Sequence, residues 1–467
     1  MSWLILILLG AIWGASYMFI AVGVREIPPF TFVEGRALIA AIALFVRLAV
    51  LAVVPDAHVS SNAENILHGA DLIRDGNFVS NPDFPMYMPP LPALFVAGVQ
   101  SVFGASLMPV KLIQIVMDTG AVALLCYAAS LMFSGTVAAL AGLMFALYPF
   151  SAFVPVYIGT EPLFVFLLML FSALALSAMR FNSIRLFLAA GFVLGLATLA
   201  RGTTLFLWLF LLPLVMVYAR TLPVSRAFLQ CGVLLFGFAV ALAPWVIRNF
   251  AVHDAFIPAS VSGSPLLAGA DEGFWLIEDR ERNLPAYAAY LKKEKGISLP
   301  PNPTWADKEE FYRKAAIVKY QERFETRPLS FVPFYAKKFA RLWYGTESGK
   351  NELLVVLINL PLYLFALVGL VLTITSCRVL PMYVVCLIGY FVGIHLVVFG
   401  YFRYMVPIMP LVMTLSALGI LWAAGRFEFL GSRISLLDRQ LFADEAPHSS
   451  WCWRRRPPDA SPVRRQS

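Results

Sequence analysis

Arginines stand at three places where an apolar run meets more polar sequence: Arg201, Arg248 and Arg403. A guanidinium there either anchors a helix by reaching into the headgroup layer or uses its planar fork of donors to neutralise a phosphate. Carboxylates are placed in a similar way. Glu161, between Thr160 and Pro162 at the mouth of an apolar run, is either a favourable anion at a helix N-terminus or a functional group beside hydrocarbon. Residues 55–88 carry Asp56, Glu64, Asp71, Asp75 and Asp83 with Arg74 as the one Lys or Arg, next to Met86-Tyr87-Met88-Pro89-Pro90-Leu91-Pro92. These acids read as solvated loop charges beside a proline-stiffened helix entry, or as the source of a general base for an acceptor at the bilayer surface.

Such groups need elements to position them, and the composition says which. The chain has 467 residues, 60% hydrophobic and 14% charged, with a mean hydropathy of +0.76. A soluble globular chain carries about 25% charged residues. The expected fold class is therefore an all-α polytopic membrane protein with about 11–13 transmembrane helices. The net charge of +8 sits largely in short connections (Arg180, Arg185, Arg220, Arg226) and in the tail (Arg454, Arg455, Arg456, Arg464, Arg465). That is the pattern of basic residues retained on the cytoplasmic side, and it argues against nucleic acid as a partner. The five cysteines show no CxxC pair and no metal-ligand spacing, so neither a disulfide nor a metal site is expected.

Apolar windows lie near 3–22, 36–54, 89–104, 108–132, 136–157, 161–179, 186–200, 203–219, 227–247, 352–375, 379–400 and 404–424. The window 136–157 contains Pro149 and Pro155, which predict two broken pieces. The first window lacks a basic flank and a cleavage site, so it reads as a retained span. Between windows, residues 55–88 lack the positive-inside signature and are expected outside the cytoplasm, with an interfacial helix around 65–73 showing Ile66, Ala70 and Ile73 on one face. Residues 249–351 form a second polar interval, expected to be a small folded and partly helical segment. Pro244-Trp245-Val246-Ile247-Arg248-Asn249 opens it, with the ring at headgroup depth and the guanidinium reaching outward. Residues 425–467 read as a polar, basic cytoplasmic tail.

In order along the chain, Arg47-Leu48, Ala70 to Gly76, Pro89-Pro90-Leu91-Pro92, Phe103-Gly104, Thr160-Glu161 and Gly195 to Arg201 form one series of motifs. The Pro244 to Asn249 motif, Arg327-Pro328, Lys338, Leu342-Trp343 and Arg403-Tyr404 continue it. The series resembles the GT-C superfamily of membrane glycosyltransferases, in the branch of dolichyl-phosphate-mannose protein mannosyltransferases and bacterial aminoarabinose transferases, over about residues 47–424, within an expected membrane domain of residues 45–424. The resemblance implies transfer of a sugar from a polyprenyl-phosphate donor to a lipid, glycan or protein acceptor at the outer face, in a bacterial inner membrane, with no cofactor; a divalent metal is not indicated. It implies an acidic base in the first external loop. Asn62 stands where that acid is expected, leaving Glu64 or Asp56 as the nearest carboxylates. Arg248, Arg403, Lys338 and Arg201 are then the candidate donor-phosphate ligands, and Glu161, Tyr87 and Tyr404 the positioning residues.

Residues 9–44 are different: Leu9-Gly10-Ala11-Ile12-Trp13-Gly14 and Ile27-Pro28-Pro29-Phe30 resemble the first helices of the EamA drug/metabolite transporter family. A domain of residues 1–44 is expected on that basis, with its N-terminus outside or its first segment incompletely spanning. Two alternatives to an active glycosyltransferase follow. One is a small-molecule transporter; the other is an inactive, lipid-binding relative.

Overall fold

The computed structural model describes residues 30–54, 61–82, 84, 89–219, 223–260 and 263–427. Asp56, Tyr87, most of the transporter-like leader and nearly all of the tail lie outside the described residues.

Helices build the fold, and the described residues contain no strand. Six stretches are long and apolar enough to cross a membrane: α4 (Met108–Met132), α7 (Glu161–Phe181), α10 (Val224–His253), α15 (Glu352–Thr375), α16 (Val379–Val397) and Phe402–Arg426, which contains α17 (Met409–Phe427). A seventh crossing is the bent pair from α5 (Gly135–Leu147) through α6 (Pro149–Phe153), turned by 55°. Pro149 sets that break, as its position predicts. Shorter apolar helices occupy the remaining expected spans, within α1 (Phe30–Val53), α3 (Leu91–Phe103), α8 (Ile184–Ala200) and α9 (Trp208–Tyr218). By length and composition the described residues therefore hold six crossings, or seven if the bent pair is one span.

The expected interfacial helix is α2 (Ser61–Arg74). It buries Ile66 and Ala70 against Val96 and Ala97 of α3. The second polar interval folds as α11 (Gly263–Ala270), α12 (Ile277–Lys295), α13 (Trp305–Thr326) and α14 (Phe331–Tyr344). Its own small core joins Leu267, Phe274, Tyr287, Leu291 and Phe311. A capping box between Thr304 and Asp307 starts α13.

Helices α8 and α10 pack most closely. Gly191 lies against Leu234, and Gly195 against Phe238 and Ala241, so the two helices run parallel. A Cβ at Gly191 would overlap the Leu234 carbonyl oxygen, and only glycine permits this approach. Helix α7 runs the other way, joined to α8 by a turn in which Asn182 takes the left-handed conformation. The start of α7 and the ends of α8 and α10 therefore share one end of the bundle.

Two expectations are corrected. The helix carrying Pro244 to Asn249 continues to His253, and Trp245 and Arg248 are buried, 3% and 6% exposed, instead of facing the headgroups. The reason is that both side chains have polar partners inside the fold, described below. Cys377 is disulfide-bonded, against the expectation of no disulfide, since sequence spacing shows only pairings between neighbouring cysteines; Cys231 and Cys386 are free thiols.

Candidate functional site

Glu161 is the first residue of α7, and Pro162 behind it fits a first helical turn where no backbone donor is required. Arg201 is the residue at which α8 ends, in extended backbone. Arg403 sits on the 3-10 turn Phe402–Tyr404 that leads into α17. Antiparallel α7 and α8 bring the first two together, and the return of α16 brings the third. Arg403 Nε donates to Glu161 Oε1 at 2.7 Å, and Arg201 Nη1 lies 3.6 Å from the same oxygen. Beyond them, Arg403 Nη1 is 3.7 Å from Glu347 Oε1, on the connection between α14 and α15. The Arg201 guanidinium lies 4.8 Å from the centroid of the Tyr404 ring, which is stacked in turn on His395 and Phe399.

The three ion pairs differ in strength. Glu161 is 9% exposed and meets two guanidinium groups, so its charge is fully committed. Glu347 is 30% exposed and makes the longest of the contacts. Arg201 Nη1 is buried at ion-pair distance from Glu161 but makes no hydrogen bond, and it lies behind Arg403 instead of lining a cavity.

Two cavities meet at Arg403. The smaller, about 210 Å³, is lined by Tyr157, Gly159, Glu161 and Arg403. The larger, about 490 Å³, is lined by Glu347 and Ser348 at one side and by Phe150, Phe153, Val355 and Phe402 elsewhere. Both also touch Val154 and Val406. The arrangement is an apolar slot whose polar end holds the Arg403 guanidinium between two carboxylates. A phosphate carried on a hydrocarbon chain could take the place of the more weakly held one, Glu347.

Residues 87–247 match the family model described as dolichyl-phosphate-mannose-protein mannosyltransferase. The match covers about a third of the chain. Its fold is similar to the crystal structure of the Archaeoglobus fulgidus oligosaccharyltransferase in the apo form, with a TM-score of 0.50 and 13% identity. That likeness covers 87% of this chain and 53% of the other, so the chain spans about half the length of that protein. No curated protein matches the chain. Glu161 and Arg201 fall inside the matched GT-C segment, whereas Glu347 and Arg403 come from beyond it.

The other residues expected from GT-C motifs lie elsewhere. Arg248 Nη2 donates to the carbonyls of Phe78 (3.3 Å) and Asn81 (2.5 Å), and its guanidinium faces the rings of Phe78, Phe84 and Trp245. Trp245 Nε1 donates to Ala259 O at 2.8 Å, and Asn249 Nδ2 to Ile257 O at 2.8 Å. The motif thus clamps both polar segments to the end of α10. Lys338 is fully buried on α14 and donates to Gly269 O at 2.7 Å; burial pushes its pKa down to about 7. Glu64 is exposed on the first turn of α2. Among the described residues no three His, Cys, Asp or Glu side chains gather to hold a metal ion. Glu347 was not anticipated from sequence; its only signal is an acid just past Leu342-Trp343, at the end of the polar interval.

Proposed function

We propose that this chain moves a sugar from a polyprenyl-phosphate carrier to a lipid, glycan or protein acceptor at the outer face of the membrane. The observation that carries the reading is the convergence of Arg201 and Arg403 on Glu161 at the junction of two apolar cavities. In this reading the carrier's chain occupies the larger cavity and its phosphate sits against Arg403, with Arg201 behind it on the far side of Glu161. Glu161 holds both cations in place, while Tyr404 supports Arg201 from below.

The acceptor oxygen or nitrogen attacks the anomeric carbon, and the bond from that carbon to the phosphate oxygen breaks. The electron pair leaves with the polyprenyl phosphate, whose added negative charge is stabilised by Arg201 and Arg403. The acceptor's proton passes to a carboxylate. Glu347 fits this role best: it lines the larger cavity, and a phosphate competing for Arg403 would release it from its one ion pair. Glu64 and Asp56 are the competing bases. Arg248 and Lys338, each engaged with backbone carbonyls, serve the scaffold and not the phosphate.

The charge distribution supports the choice of face. Arg180, Arg185, Arg226, Arg378 and Arg426 all lie at the end of the bundle away from Glu161. Basic residues are retained in the cytoplasm, so the cluster faces outward, as in an enzyme of the bacterial inner membrane working on its periplasmic side. The test is transfer by the purified chain in lipid nanodiscs supplied with labelled polyprenyl-phosphate sugars. Sugar release that disappears in Arg403→Ala is expected. A folded protein that neither transfers nor hydrolyses any such donor would overturn the reading.

A further inference from the structure

We infer that the groove between α8 and α10, at the end of the bundle away from Glu161, binds an anionic phospholipid of the cytoplasmic leaflet. The groove has a volume of about 350 Å³. Its walls are Leu188 and Phe192 on α8 and Phe236 and Val240 on α10, all four exposed. Its floor is the close approach of the helices at Gly237, where a Cβ would overlap the Leu188 carbonyl oxygen. An apolar channel open to the side of a membrane-spanning helix pair fits one acyl chain.

The head of the groove decides the class of lipid. Arg185 lines it, on the first turn of α8. Arg226, on the first turn of the parallel helix α10, donates to Asn182 O at 3.3 Å, which holds its guanidinium on the turn just before Arg185. Arg180 ends α7 at the same turn. No Asp or Glu occurs anywhere from Pro162 to His253, so this helix trio brings no anion of its own to the three arginines. The first turns of two parallel helices add partial positive charge on the same side. A phosphodiester headgroup supplies the missing counter-charge, whereas a zwitterionic headgroup would bring an ammonium group against the arginines.

Native mass spectrometry of the full chain from nanodiscs tests the inference, with phosphatidylglycerol and phosphatidylcholine as the competing probes. Retention of phosphatidylglycerol in preference to phosphatidylcholine is expected. Arg185→Gln and Arg226→Gln should each weaken retention about fivefold, the factor expected for one basic side chain near an anionic surface. Ala189→Trp fills the groove without changing charge and should also release the lipid; Ala189 lines the wall beside Leu188. Equal retention of the two lipids, or a preference that survives the double arginine variant, would overturn the inference. So would cross-linking of Phe236→Cys between two copies, because a second chain would then cover the groove.

Discussion

Arg403 and Glu161, 242 residues apart in sequence, are joined by a 2.7 Å hydrogen bond from Nε to Oε1. The bond ties the start of α7 to the turn before α17, and Arg201 closes on the same carboxylate from the end of α8. Replacing Glu161 by Gln removes the carboxylate on which both guanidinium groups converge. Arg201 is buried but Arg403 is 36% exposed and keeps Glu347, so solvent screening brings the cost below that of breaking a fully buried pair, to about 2–3 kcal/mol. Glu161→Gln should therefore lower the thermal midpoint and cut kcat/KM for the donor by roughly a hundredfold, since 1.4 kcal/mol is tenfold. Glu161→Asp should recover part of both. An unchanged midpoint together with unchanged turnover would show that the cluster holds neither the fold nor the donor.

One experiment separates Glu347 from Glu64 as the base. A general base contributes about 10²–10⁴-fold to rate. Glu347→Gln should lose a factor in that range from kcat with little change in KM, because the amide keeps the size of the side chain. Glu64→Gln, on an exposed helical turn, should stay within about twofold of the parent, as surface substitutions away from a site do. The reverse ranking would return the base to the first polar interval.

How much of this was legible in the sequence depends on the distance over which a residue acts. Span locations followed from hydropathy, and Pro149 marked the bend because proline breaks a helix locally. Ile66 and Ala70 revealed the buried face of α2 by their spacing. Glu161, Arg201 and Arg403 were each visible as ionisable groups at span ends. That they meet depends on three helix reversals, and no local signal encodes such closure. Arg248 misled for the same reason: a guanidinium at the edge of an apolar run suggests a surface anchor until Phe78 and Asn81, from a loop far away in sequence, supply its acceptors. Glu347 was hidden by its surroundings, one acid among many in a polar interval, singled out only by the cavity it faces.

Lys338 makes a pH-dependent prediction. Its amino group titrates near pH 7 in the fold and near 10.5 when unfolded. Between those values the unfolded chain binds more protons than the native one, so stability rises with pH across this window. Below about pH 7 both states are protonated and the gain is lost. Lys338→Met should lower the overall midpoint by leaving Gly269 O without its donor. It should also flatten the rise in thermal midpoint between pH 7 and 9. A variant whose slope matches the parent's would show that Lys338 is not the group responsible.

The clamp at the end of α10 should break in a recognisable way. Arg248→Ala removes donors from Phe78 O and Asn81 O while leaving α10 itself intact. Losing charged hydrogen bonds of this kind costs about 1.5–3 kcal/mol each. Limited proteolysis should then cut residues 75–82 faster in the variant than in the parent, with little change in the second polar segment, which Trp245 and Asn249 still hold. Arg248→Lys should resemble alanine more than arginine, because an ammonium group lacks the second nitrogen, Nη1, that meets Asn249 Oδ1 and His253 while Nη2 serves the two carbonyls.

Within the spans, Arg47 and Asp118 form a buried ion pair, and Arg47 Nη1 also donates to Ala43 O and Ala146 O. Arg47 Nη2 and Asp118 Oδ1 have no hydrogen-bond partner, so the pair is incompletely satisfied where water is scarce. Removing one partner leaves an isolated charge, which costs about 3–5 kcal/mol, whereas replacing both by apolar groups of similar volume is often neutral or stabilising. Asp118→Leu alone should therefore sharply reduce the folded yield, and Arg47→Met with Asp118→Leu should restore it. If the double variant is as unstable as Asp118→Leu, the pair is needed for more than mutual neutralisation, and the two carbonyls that Arg47 holds on α1 and α5 become the essential contacts.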